Sequence, residues 1–487
     1  MIKLSETVLA TVCLITVNSW THAQAGAQPP IGPALTAPGI VTNERSASAQ
    51  ATADAPLPRP AEVQTDENQN AQLDPAVRHL TLSDAIAQAL RTQPTMRQAR
   101  AQTHAAEGRV EQARAGYLPQ VTGTVAYQRA TGNYAPRPGF VTQNVPYSLT
   151  TTYNYYNASL TASQLIYDFG QTNGRWNAAE SVVDASVATE NATRLQTVMN
   201  VQSAFYQAWA QHALVKVAED TLADQTRHVE QIEASVKVGV QPEIALATAR
   251  ANVANARLQL INTQNAYEVA KDQLNAAMGL MTNTNYEIAD EEAAAIDAED
   301  GPIEPLVVRA LQARPDIVAL VRQRDAQTKT IRSLRGAYGP NLVASATGTE
   351  AGIHLNNIVP NWNVGVTLTW PILQGGLTNG QIREAEGNLE VIDAQLTALQ
   401  VQVRTQVDQA RLAVRAAKSS IEAAGEALTN AQLQLKLAEG RFTAGVGSII
   451  ELTDAQVAYT SARAQVVQAH FSLSNSRAQL ISALGIR

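Results

Sequence analysis

The sequence predicts a mainly α-helical chain with a transmembrane β part, organised as two tandem repeats that each carry a strand pair and long coiled-coil helices. Three observations predict it: the chain matches itself at fixed offsets, long stretches lack both glycine and proline, and four short segments alternate apolar with polar residues.

Composition sets the bounds. At 487 residues the chain exceeds one ordinary domain. It is 45% hydrophobic but only 5% aromatic, and alanine makes up much of the apolar share, which suits close-packed helices better than a thick globular core. A net charge of −7 argues against a nucleic-acid partner, because phosphate binding needs clustered Lys and Arg. Residues 1–25 read as a secretory signal: Lys3, an apolar run from Val8 to Val17, then Ala23-Gln24-Ala25. An ordinary N-terminal helix is the alternative. The single cysteine, Cys13, sits inside that run behind Ala10-Thr11-Val12, a poor lipoprotein box. The mature chain is therefore expected to have no cysteine, lipid anchor or disulfide. Residues 26–79, rich in Ala, Pro, Gln and Thr, read as a flexible tail.

The repeat decides the fold. LRTQPTMRQARA…ARAGYLPQV from Leu90 matches LQARPDIVALVR…LRGAYGPNL from Leu311, and Pro94/Pro315, Tyr117/Tyr338 and Pro119/Pro340 all lie 221 apart. DFGQTNG ending at Gly174 matches QGGLTNG ending at Gly380 at an offset of 206, which also relates Gly239 to Gly445, Leu246 to Leu452 and Gly279 to Gly485. The first copy thus holds 15 extra residues between Pro119 and Gly170. The repeats are placed at 80–280 and 304–487, joined by an acidic linker at 281–303.

Within each copy the pattern reads as helix, strand pair, helical hairpin. Pro94 opens the first helix at a position where proline is tolerated. The span from Gly174 to Gly239 has no internal breaker and predicts a helix of roughly 95 Å. The return helix from Pro242 carries a heptad, Leu246, Val253, Leu260, Tyr267 and Leu274, each followed three residues later by Ala249, Ala256, Thr263, Ala270 and Ala277. Leu452, Tyr459, Val466, Leu473 and Leu480 repeat it with Ala455, Ala462, Ala469, Ser476 and Ala483. A large–small seam of that length means coiled-coil packing with close backbones.

In the last strand Trp362, Val364, Val366, Leu368 and Trp370 share one face, against Asn363, Gly365, Thr367 and Thr369. Tyr156, Ala158, Leu160 and Ala162 alternate likewise with Asn157, Ser159, Thr161 and Ser163, and further strands begin near Gln120 and Asn341. The two tryptophans stand roughly 26 Å apart along a strand at ~3.3 Å per residue, close to the ~25 Å apolar band and aromatic girdles of outer-membrane barrels. Trp362, Trp370 and Tyr156 are the expected girdle. A soluble antiparallel sheet also alternates; the tryptophan spacing and the uncharged polar face favour lipid. Four strands cannot close a barrel, and open edges in lipid leave backbone groups unsatisfied, so chains must pool strands. Two chains would fill the interior with side chains; three would leave a passage.

The region after the tail resembles the TolC family of outer-membrane efflux proteins. The residues that carry this are ARPDI (Ala313 to Ile317), GYLPQV (Gly116 to Val121), LTWPILQGG (Leu368 to Gly376) and FTAGVGSIIELTDAQ (Phe442 to Gln456), in this order and in duplicate. The resemblance implies a homotrimer with a twelve-stranded barrel in outer-membrane lipid and a periplasmic α-helical barrel. It also implies that two shorter helices, stacked end to end, match each long one, and that the linker lies at the equator. A periplasmic adaptor docks on the glycine-valine turns of such channels, here Val238, Gly239, Val240, Gly445 and Val446. An inner-membrane pump supplies the energy. Glu451 and Asp454, three apart on one helix face, correspond to an acidic pore constriction; helix-dipole compensation is the plainer reading. Tightly locked relatives place an arginine at Gly447 and an aspartate at Ala245, so that lock is missing here.

Other classes fit less well. The seven histidines are scattered, none in HExxH, and there is no GxxxxGK[ST] or GxSxG, so no enzyme, metal site or cofactor is expected. A periplasmic adaptor would have one hairpin with small β modules, a structural coiled-coil rod would lack strands, and a porin would lack long helices. Nothing in the residues names the cargo, whether drug, metal or secreted protein.

Overall fold

The computed structural model describes residues 79–133, 150–239, 241–281, 286–296 and 299–486. The expected signal, all of the tail but His79, and residues 134–149 of the extended first hairpin lie outside them.

The first repeat runs β1 (His79–Leu80), α1 (Leu82–Thr92), α2 (Pro94–Ala115), β2 (Gln120–Asn133), β3 (Thr150–Tyr167), α3 (Gln171–Lys237) and α4 (Glu243–Met278). After β4 (Glu287–Ile288), the second runs α5 (Ile303–Ala313), α6 (Pro315–Gly336), β5 (Asn341–His354), β6 (Asn357–Thr369), α7 (Leu377–Thr443) and α8 (Ile449–Leu484). The two repeats correspond element by element at the offsets read from the sequence. Two pieces were not foreseen. One is the 11-residue helix opening each repeat, α1 and α5; the other is the parallel pairing of β1 with β4.

Helices α3 and α7 each have 67 residues, about 100 Å at 1.5 Å per residue. Helix α3 begins before Gly174, not after it. That glycine lies in the first turn because α6 crosses there: a Cβ on Gly174 would sit 2.6 Å from the Ser333 Cβ.

The shorter helices stack as pairs along the long ones. Gly279, at φ 73°, ends α4 against the start of α2, where Thr92 Oγ1 donates to the Met278 carbonyl at 2.5 Å and Gln93 Nε2 to Ala277 at 3.2 Å. Gly485, at φ 70°, repeats this joint, with Arg314 Nη1 donating to the Ala483 carbonyl at 3.3 Å. These bonds take up carbonyls that a helix end leaves unpaired.

The hairpin seams are led by their small residues. Ala249, Ala256 and Ala270 on α4, and Ala455, Ala462 and Ala469 on α8, are buried, whereas Val253, Leu260, Tyr459 and Val466 are only half-buried. Alanine at the contact lets backbones approach closely. Larger side chains concentrate in one core per repeat: Phe205, Tyr206, Leu274 and Met278 in the first, Val403, Val407, Val414 and Leu480 in the second.

The four long strands form one antiparallel sheet in the order β2-β3-β5-β6, so β3 and β5 join the repeats and β2 and β6 are open edges. Hairpin registers agree between repeats: Gln120 faces Ser163, and Asn341 faces Thr369. Among the described residues nothing covers the apolar face. Val125 is 88% exposed, Trp362 77% and Val364 71%. On the other face Thr161 and Thr347 hydrogen-bond across β3 and β5 at 3.2 Å. No helix among the described residues is long and apolar enough to cross a membrane.

One buried ion cluster ties the linker to the second hairpin. Glu299, 5% exposed, is held bidentate by Arg477 at 3.0 and 3.1 Å and by Lys418 Nζ at 2.7 Å, and it accepts the Ile296 N–H at 3.2 Å. Burial alone would raise its carboxyl, but the Arg477, Lys418 and Ile296 donors outweigh burial and bring it from 4.5 down to about 2. A depressed carboxylate stabilises the fold above its unfolded value and loses that contribution as pH falls through the folded one. Glu299→Gln is expected to cost about 3 kcal/mol at pH 7, read as a lower unfolding midpoint. The gap from wild type should narrow as pH falls from 4.5 towards about 2.

Candidate functional site

The two helical hairpins turn at the same end of the molecule. Helix α3 ends at Lys237 and the chain reverses through Gly239, at φ 74°; α7 ends at Thr443 and reverses through Gly445, also at φ 74°. Both need the left-handed region, where any side chain but glycine is strained. The Gly239 N–H donates to Val236 and the Gly445 N–H to Phe442, each at 3.0 Å. Beyond the second turn Ser448 caps α8, its hydroxyl accepting the Ile450 N–H at 3.0 Å.

These turns present apolar side chains to solvent: Val238 is 73% exposed, Val446 71%, Ile244 74% and Ile450 69%. Val240 lies outside the described residues. Behind the turns Phe442 packs on Ile232, Ala245 and Ala249 of the first hairpin and on Leu452 and Ala455 of its own, stitching the two tips together.

The missing lock has a steric reason. A Cβ on Gly447 would lie 2.8 Å from the Phe442 nitrogen and 2.9 Å from the Arg441 carbonyl carbon, so this turn has no room for a side chain. Ala245 is 3% exposed and faces Ile232, an apolar site closed to a carboxylate.

Glu451 and Asp454 lie in the first turns of α8, Glu451 half-buried and Asp454 exposed. Glu451 is not free: Arg441 Nε lies 3.5 Å away, a pairing between helices that spacing could not reveal. Among the described residues Asp454 has no ion-pair partner, and no cluster of His, Cys, Asp or Glu could hold a metal.

At the other end of the helices sits the aromatic set. Trp362 is exposed on β6; Trp370 falls one residue past that strand, its indole donating to the Tyr338 carbonyl at 3.1 Å. The first repeat makes the same joint with Gln164 Nε2 and the Tyr117 carbonyl, at 2.5 Å. Tyr156 stacks on Tyr127, ring centres 5.1 Å apart.

A residue the sequence did not single out, His228 on α3, lies behind the tip. It is 7% exposed, its ring 5.6 Å from Phe442, and its Nε2 has no hydrogen-bond partner. Burial holds the imidazole below its ordinary 6.5, against a weaker upward pull from Gln231. The neutral ring fits; a charged one does not. The contribution of His228 to tip stability is therefore fully present above pH 6.5 and declines as pH falls below it. Hydrogen exchange in peptides 229–249, corrected for intrinsic rate, is expected to speed up between pH 7 and about 5 in wild type. In His228→Phe that acceleration should be absent.

The chain matches the family model of the outer membrane efflux proteins over residues 85–280 and 306–486. Among relatives, the fusaric acid resistance protein FusA of Burkholderia cepacia is 24% identical over 64% of this chain, which spans only 59% of that protein. The outer membrane protein TolC of Escherichia coli is 23% identical over 83% of this chain and 82% of its own length. Among solved structures, VceC of Vibrio cholerae superposes with a TM-score of 0.69 at 19% identity, over 83% of this chain and 96% of that one. The CmeC channel of Campylobacter jejuni gives 0.71 at 19% identity, over 83% and 85%. With both repeats matched and the same fold found in solved outer-membrane channels, the chain belongs to the outer membrane efflux protein family.

Proposed function

We propose that this chain is the outer-membrane exit duct of a tripartite efflux pump or type I secretion system. It is a passive channel, and docking of a periplasmic adaptor and an inner-membrane pump opens it. The single observation that carries the reading is the sheet left bare on its apolar face and unpaired at both edges, continuous with helices about 100 Å long. Three chains supply twelve strands, close the edges in lipid and leave a passage. The polar, uncharged strand face then lines the pore, Trp362, Trp370 and Tyr156 sit in the girdles, and the longer first hairpin reaches the cell exterior. The helices cross the periplasm, with the 281–303 linker at their equator.

On this reading the exposed valines of the tip are the adaptor-docking surface. Exposed apolar side chains on a turn are an uncovered cost unless a partner hides them. Glu451 and Asp454 from three chains form an acidic constriction, with Arg441 offsetting part of its charge. Without room for an arginine at Gly447, packing around Phe442 and this ring hold the tip shut, more weakly than a salt-bridge lock.

The reading is tested by deleting the gene and measuring drug susceptibility and protein secretion together; unchanged values for both sink it. In the purified protein, a heat-modifiable oligomer with sheet signal is expected, and a wholly helical monomer excludes it. Val238→Asp with Val446→Asp should remove about 2 kcal/mol of docking energy, roughly thirtyfold in adaptor affinity, with the oligomer intact. Glu451→Gln with Asp454→Asn should reduce cation preference, read as a smaller reversal potential under a salt gradient. Wild-type single channels should lack a very small, long-lived closed conductance; finding one counts against the weak lock.

A further inference from the structure

Within one chain the repeats meet along a single boundary. Helix α3 packs on α6 and α8, and β3 pairs with β5. In a ring of copies the same boundary recurs with the duplicated elements: α7 of one copy lies on α2 and α4 of the next, and β6 pairs with β2. Both partners of every contact seen inside the chain therefore have a counterpart that the next copy must meet.

We propose that the boundary between copies is held by an ion pair between Glu426 on α7 and Arg257 on α4 of the next copy, and by Leu118 of that copy seated over Gly375. The proposal rests on the ring of copies set out under Proposed function and specifies its interface.

The first contact follows from Arg463 and Asp220, which join α8 to α3 at 2.6 Å. Their counterparts 206 residues away are Arg257 and Glu426, so the signs of charge are kept. Both side chains are exposed, and neither has an ion-pair partner among the described residues. The neighbouring contacts are not kept. Thr221–Thr460 and Gln225–Gln456 hydrogen-bond across the inner boundary at 3.4 and 2.9 Å; their counterparts are two alanines, then Ala431 with Arg250. Next to Arg257, Leu258 and Ile261 are 58% and 56% exposed, whereas their counterparts Ala464 and Val467 are half-buried. An apolar face that one repeat covers internally is left open in the other.

The second contact exchanges bulk across the boundary. Phe169 is the one non-glycine residue at positive φ among the described residues, at 53°, and its ring occupies the space that a side chain on Gly339 would need. Its counterpart is Gly375, at φ 59°, above which nothing lies within 4 Å of a Cβ. The counterpart of Gly339 is Leu118, 52% exposed. Large-on-small inside the chain becomes small-on-large between copies.

The strand register agrees. Ala162 faces Ala346 and Leu160 faces Gly348, which transfers to Leu368 opposite Val125 and Val366 opposite Tyr127 of the next copy. All four are on the uncovered apolar face, so the sheet continues without turning over.

The experiment uses the full-length protein, whose single cysteine lies in the expected signal. Glu426→Cys with Arg257→Cys, oxidised in the outer membrane, should give covalent dimers and trimers on boiled, non-reducing gels; a bridge within one chain would leave the band at the monomer position. Separately, Glu426→Arg should lower the temperature at which the oligomer band gives way to monomer, and adding Arg257→Glu should restore it. If the wild type is oligomeric but the cysteine pair gives no bridge between chains, or the swapped pair does not regain stability, this interface is overturned and the duct reading stands. A wild-type chain that is monomeric throughout overturns both.

Discussion

Along β2 and β6 the backbone N–H and C=O groups that point away from the sheet have no strand partner among the described residues of a single chain. In water they would be solvated; in hydrocarbon each costs several kcal/mol. The closure proposed above would satisfy them all at once, and on that reading it governs much of the rest. In the proposed duct the strands alternate because one face meets lipid and the other a lumen. The lumen face of such a duct can be polar without partners of its own because water reaches it. On the same reading the long helices continue that ring, with their spacing set by the strands above them and their contacts by alanine.

That spacing explains where the small residues lie. Buried alanines of α4 and α8 allow close helices, and Gly174 lets α6 cross α3 at the joint between sheet and helices. Large side chains gather where the chain thickens, in the cores around Phe205 and Val403, and beside them the buried Glu299 fastens the linker. A charge in that place needs donors from three segments to be tolerable, here Ile296, Arg477 and Lys418.

Much of this was legible in the residues because duplication doubles every signal. Proline and glycine pairs at constant separation fixed helix ends that a single copy leaves ambiguous, and Phe169 in a left-handed conformation is intelligible only beside Gly375. Period two in β6 was plain, although Trp370 proved to lie just beyond the strand. Short elements escaped: β1 and β4 are two residues each, too few for a period, and the 11-residue α1, capped by Thr81 accepting the Asp84 N–H, was not read at all. Contacts between distant segments escaped too. Glu299 reaches Arg477 across 178 residues, and Arg441 takes up Glu451 across a turn. Spacing speaks for neighbours on one helix and is silent about partners on another.

The end-to-end joints at Gly279 and Gly485 divide each column of paired helices unequally. On one side of every hairpin the backbone hydrogen-bond ladder runs unbroken for its whole length; on the other it is interrupted, and only a few side-chain bonds bridge the gap. Such a strut is stiff along its spine and compliant on its flank. A sideways load at the far end therefore bends it towards a preferred direction, with the fulcrum at the interruption. The chain carries two of these struts, set the same way round.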